Sequence, residues 1–213
     1  MLALLSLLAC VPSDERKPDS ENLRDPWSVA AVPDDPTLAA GQQVFVSCAS
    51  CHLADAGGRS DGTIPRLAGQ DATILERKLR GLIDLSIDLP VMTPFARALS
   101  DTELLQVSAY LSSLPRPGEV GADPGERSER GGALYVELCL GCHAADALGQ
   151  PVLNAPRLCG QHEAYLLRRL NEMASPTAVK RRVTEPTMKT IVLALSVEDR
   201  RAISNHLARL ECD

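Results

Sequence analysis

Seven cysteines, four histidines and four methionines make up the side chains best suited to redox or metal chemistry, and most of them fall into one repeated pattern. Cys48-Ala-Ser-Cys51-His52 recurs as Cys139-Leu-Gly-Cys142-His143. A Cys-x-x-Cys pair alone serves as half a zinc site or as a redox dithiol. Neither use calls for a histidine directly after each pair, and two complete copies in matching context argue against both. The five-residue pattern is the attachment signature for c-type haem. Its two thiols add to the two vinyl groups on one porphyrin edge, and the adjacent imidazole meets the iron from one face. The other ring nitrogen then needs a carbonyl to hold the ring in place. The covalent attachment residues are therefore Cys48, Cys51, Cys139 and Cys142, with His52 and His143 as the first axial ligands.

An iron held from one face needs a second ligand. Met92 lies in Leu89-Pro-Val-Met-Thr-Pro94, and Met188 in Glu185-Pro-Thr-Met-Lys189. Each follows a proline by two residues and precedes a helix start, at Ser100 or Ser196, by eight. This spacing predicts loop positions from which a thioether reaches the open face. Met173 sits in an apolar helical run and reads as core. His206 stands where the first copy has Tyr110 and reads as a packed or surface residue. His162 stands where the first copy has Asp71 and reads as a helix cap.

The elements that hold these residues come in two sets. Pro65-Arg66-Leu67-Ala68-Gly69-Gln70 matches Pro156-Arg157-Leu158-Cys159-Gly160-Gln161 at the same 91-residue offset as the cysteine motifs, and Gly41 matches Gly132. Met92, Ser100 and Leu111 match Met188, Ser196 and Leu207 at an offset of 96, so the second copy gains five residues between Gln161 and Met188. Ser100-Asp-Thr-Glu103 is a capping box ahead of an apolar-periodic run ending near Leu114, and Ser196-Val-Glu-Asp199 is its counterpart. Asp71 and His162 open two further helices. One more runs from about Thr37 into Cys48, with its copy from Arg130 into Cys139. No alternating strand pattern is evident. The fold expected is all-α: two tandem domains of a few short helices, over 36–115 and 131–213, joined by a Pro/Gly-rich linker over 116–130. Domains this small are marginal without help, and only 3% of the chain is aromatic. A covalent haem in each would fill the core.

Residues 1–35 are of a different kind. Met1-Leu-Ala-Leu-Leu-Ser-Leu-Leu-Ala-Cys10 is apolar but shorter than the about 20 residues that span a bilayer. It reads as the end of a secretory signal, and Leu7-Leu8-Ala9-Cys10 as a lipobox whose cysteine is lipid-modified. An ordinary signal with an incidental Cys10 is the alternative. The stretch that follows, rich in Pro, Asp, Glu and Ser, reads as a disordered tether. The formal net charge is -6, and residues 1–35 carry three basic against seven acidic side chains. Neither copy is basic enough for nucleic acid. Lys180-Arg181-Arg182 reads as a solvated basic loop, with a partner-facing patch as the alternative.

On these motifs the chain resembles the dihaem cytochrome c4 family, two class I cytochrome c domains in tandem, over about 36–213. The resemblance implies His52 with Met92 and His143 with Met188 as axial pairs. It also implies Pro65 and Pro156 as carbonyl partners of the imidazoles, and Arg66 and Arg157 near the haem propionates. The function expected is an electron carrier rather than an enzyme, secreted to the periplasm and tethered through Cys10. Its donor would be a quinol-oxidising complex or a dehydrogenase, and its acceptor a terminal oxidase or reductase. Alternatives are a dihaem enzyme of the peroxidase or thiosulfate-oxidising type, and a fixed subunit of a dehydrogenase. Haem thiols and Cys10 leave Cys159 and Cys212. In an oxidising compartment these are expected to bridge, with two free or buried thiols as the alternative.

Overall fold

A computed structural model describes residues 35–116, 125–175, 186–210 and 212. Cys10 with its tether and the basic run Lys180–Arg182 lie outside the described residues. The first copy contains α1 (Pro36–His52), α2 (Ala72–Ile83), α3 (Thr93–Arg97) and α4 (Asp101–Ser113). The second contains α5 (Gly125–Leu138), α6 (Leu140–His143), a 3-10 turn (Pro151–Leu153), α7 (Glu163–Ala174), α8 (Pro186–Ala194) and α9 (Val197–Arg209). Helix α5 thus begins inside the segment whose composition predicts a linker. Among the described residues there is no named strand, and no helix is long and apolar enough to cross a membrane.

Local chemistry explains most of the boundaries. Asp35 caps α1 by accepting from Thr37 N and Leu38 N, with Pro36 at the first helical position, where its missing N–H costs nothing. Both predicted capping boxes form, at Ser100 with Glu103 and at Ser196 with Asp199. Asp71 caps α2 through Thr73 N and Ile74 N. His162 does not repeat that role: its side chain makes no capping bond to α7.

In each copy the first and last helices cross in close contact, α1 on α4 and α5 on α9. The crossing needs glycine. A Cβ on Gly41 would fall 2.1 Å from Gln106 O, and one on Gly131 would fall 2.0 Å from Ala202 O. The structural partner of Gly41 is therefore Gly131, not Gly132 as the cysteine offset predicts. Two residues separate Phe45 from Cys48, whereas three separate Tyr135 from Cys139. The extra residue breaks the helix. Helix α1 runs unbroken to His52, while α5 ends at Leu138 and α6 begins after Cys139.

The cores match position by position. Phe45, Ala56, Ala68, Leu75, Val107, Tyr110 and Leu111 cluster in one copy. Tyr135, Ala147, Cys159, Leu166, Ile203 and Leu207 cluster in the other. Phe45 packs on Tyr110 at 5.8 Å between ring centroids, and Tyr135 on His206 at 6.1 Å. A disulfide joins Cys159 to Cys212.

Candidate haem sites and the seam between the copies

Each Cys-x-x-Cys-His ends a helix, and the chain then turns through a left-handed residue, Leu53 in one copy and Ala144 in the other. The turn is tied back by Gly58 N to His52 O at 3.0 Å and by Gly149 N to His143 O at 2.9 Å. Both glycines have positive φ, and a Cβ on Gly58 would lie 2.5 Å from Pro65 O. That close approach brings the proline carbonyl to the imidazole. His52 Nδ1 lies 3.1 Å from Pro65 O, and His143 Nδ1 lies 2.9 Å from Pro156 O. A carbonyl only accepts, so Nδ1 carries the proton and Nε2 keeps its lone pair. Burial lowers the pKa of both rings, partly opposed by the same hydrogen bonds. Each imidazole is thus buried, oriented and neutral, the state in which it ligates a metal.

The thiols are unpaired within each motif: Cys48 and Cys139 are half-buried, Cys51 and Cys142 exposed. Burial pushes the Cys139 thiol up to about 11, with Cys142 adding to the effect, and raises Cys48 in the same way. Among the described residues no three His, Cys, Asp or Glu gather as a metal cluster, so the two cysteine pairs do not share one site.

Both methionines are half-buried; Met92 lies on a turn as expected, while Met188 falls within a helix. Met92 is the N-cap of α3, and Met188 stands in the first turn of α8. Of the two prolines that suggested loops, Pro90 does lie on a turn, whereas Pro186 opens α8, in the first turn where proline is favoured. Near Met92 in the chain, Leu85, Leu89, Val91 and Phe95 are 42–69% exposed. Exposed apolar side chains suit contact with an apolar macrocycle, and with the oriented imidazoles and paired thiols these residues fit a covalent haem.

Arg66 and Arg157 lie at the contact between the copies, where reciprocal glutamines meet them. Gln161 accepts from Arg66 N and donates to Arg66 O, both at 3.0 Å. Gln70 accepts from Arg157 N and donates to Arg157 O, also at 3.0 Å. Arg66 Nη1 donates to Gly160 O. Farther out, Arg77 donates to Pro151 O, and its counterpart Arg168 donates to Gly62 O. His162 Nε2 reaches Gly57 O at 2.7 Å, so this residue ties the copies together instead of capping α7. Sequence reasoning missed Gln70 and Gln161, although both belong to the repeated motif. It also assigned Arg116 to the linker.

These features define a tandem c-type cytochrome, one covalent haem per helical copy. The family model described as cytochrome c matches residues 38–115 and 128–211. Cytochrome c4 of Pseudomonas aeruginosa is 33% identical over 81% of this chain and 88% of its own length. The chain belongs to the cytochrome c4 family, dihaem electron-transfer cytochromes with two covalently bound haem c groups. A protein of Stutzerimonas stutzeri described as a thiosulfate dehydrogenase electron acceptor is 30% identical over 82% of this chain and 83% of its own. The crystal structure of reduced recombinant cytochrome c4 from Pseudomonas stutzeri superposes with a TM-score of 0.69. It is 29% identical and covers 81% of this chain and 97% of that one.

Proposed function

We propose that this chain relays single electrons between periplasmic respiratory partners through two irons, each held between a histidine and a methionine. His52 pairs with Met92, and His143 with Met188. The observation that carries this reading is the duplicated hydrogen bond from histidine Nδ1 to a proline carbonyl, which presents Nε2 for ligation in both copies. Haem supplies one-electron chemistry when bound, and a methionine ligand raises its potential. The chain contributes the buried neutral imidazoles, the thioethers at the starts of α3 and α8, and the contact that keeps the two copies in register. With both faces of each iron filled, no position is open to substrate, which favours a carrier over a peroxidase-type enzyme. The relative described as a thiosulfate dehydrogenase electron acceptor supports a dehydrogenase as donor. A quinol-oxidising complex is the other donor class, and a terminal oxidase or reductase the acceptor. Cys10 anchors the secreted chain to the membrane by its lipid.

Spectroelectrochemical titration tests the ligation. We expect two low-spin haems with methionine ligation, and Met92→Leu or Met188→Leu should each convert one of the two to high spin. A single porphyrin, or a high-spin iron in the wild type that takes up peroxide, overturns the carrier reading. Cys10→Ser should release the protein from membranes, and unchanged membrane association would overturn the anchor.

A further inference from the structure

Three guanidinium groups gather where the copies meet, and the third is the least expected. Arg116 follows Pro115 at the end of the first copy. By the 96-residue offset its counterpart is Cys212. In the second copy that position is bonded to Cys159, beside Gly160. In the first copy Arg116 lies against Gly69: a Cβ on that glycine would come within 2.8 Å of Arg116 Cβ and 3.5 Å of Arg157 Nη1. Equivalent places thus hold a disulfide in one half and a cation in the other.

All three guanidinium nitrogens of Arg116 are closed off from solvent and make no hydrogen bond, and Arg157 Nε is in the same condition. Burial, with the positive charges of Arg66 and Arg157, pushes the pKa of Arg116 down to about 9. A buried cation whose charged neighbours among the described residues are the cations Arg66 and Arg157 is an unfavourable arrangement. A planar fork of N–H donors is shaped for a carboxylate. We propose that Arg116 binds a haem propionate at the contact between the copies, joining Arg66 and Arg157, and that it separates the two haems in potential because the second copy has Cys212 in its place. This rests on the reading that both haems are bound.

A carboxylate beside an iron favours the ferric state, and pairing it with a cation offsets that preference. Arg116→Gln should therefore lower one haem potential, with about a tenfold change in its reduction equilibrium, ~59 mV for one electron. It should also make that potential fall as pH rises between about 5 and 8, because the released propionate now titrates in that range. Arg116→Lys keeps a charge and should stay near wild type in both respects. In the wild type, a paired guanidinium keeps the potential flat through about pH 9, whereas a step there marks an unpaired Arg116 and overturns the proposal. This arm stands even if Arg116→Gln does not fold. Unchanged potentials in Arg116→Gln with two haems counted also overturn it. So does an effect that appears only with added inorganic phosphate, which would assign the site to a free anion. A wild-type count below two haems removes the ligand and identifies the haem reading as the one that failed.

Discussion

His206 is the clearest case of one position serving the two copies differently. It occupies the place of Tyr110 and packs on Tyr135 as Tyr110 packs on Phe45. Burial lowers its pKa, opposed by a hydrogen bond with the Ser128 backbone. The unfolded chain therefore takes up the proton first. The stability this ring contributes is full above about pH 6.5 and declines as pH falls into the window just below that value. His206→Tyr restores the residue of the first copy and removes this dependence. Between about pH 7 and pH 5, its thermal midpoint should fall less than that of the wild type, and equal falls would refute the assignment. The match between Tyr110 and His206 is readable from spacing alone. The burial of Arg116 is not, because a residue between two prolines carries the local signature of a linker whatever later packs against it.

At the level of elements, the last helix of each copy was written plainly in the sequence. The capping boxes at Ser100 and Ser196 and the apolar periodicity after them lead to α4 and α9 with little ambiguity. Two features escaped for physical reasons. Proline marks loops and first helical turns alike, so Met188 falls on α8 where a loop was expected. An offset taken from the cysteines is also blind to an extra residue upstream of them, which moves the tight crossing from Gly132 to Gly131. Alanine substitutions separate the two glycines. At Gly131 the new methyl meets a helix carbonyl that cannot yield, for a loss of about 1–3 kcal/mol or more. At Gly132 it meets only the tip of the His206 ring, with its nearest atom at 3.0 Å, and a ring can swing aside. Chemical denaturation of the two variants should rank Gly131→Ala as the more damaging. The reverse order would mean that Gly132 is the true partner of Gly41.

Over the whole molecule, the duplication and the helical class followed from the repeated motifs, while the docking of the copies did not. Each docking bond ends on a main-chain N–H or C=O, groups that every residue carries and no sequence advertises. Gln161→Leu leaves both Arg66 main-chain groups without their partner, at about 1–3 kcal/mol for each buried group. Calorimetry should then split one unfolding transition into two, and a single unshifted transition would refute the coupling. Because Gln70 and Gln161 grip peptide groups, their hold is indifferent to which side chains the facing positions bear. The two halves can accordingly differ at other positions, Ala68 against Cys159 and Tyr110 against His206, without losing this grip on each other. A recombinant joining two copies of either half should still find its own mate, as a handshake works between strangers.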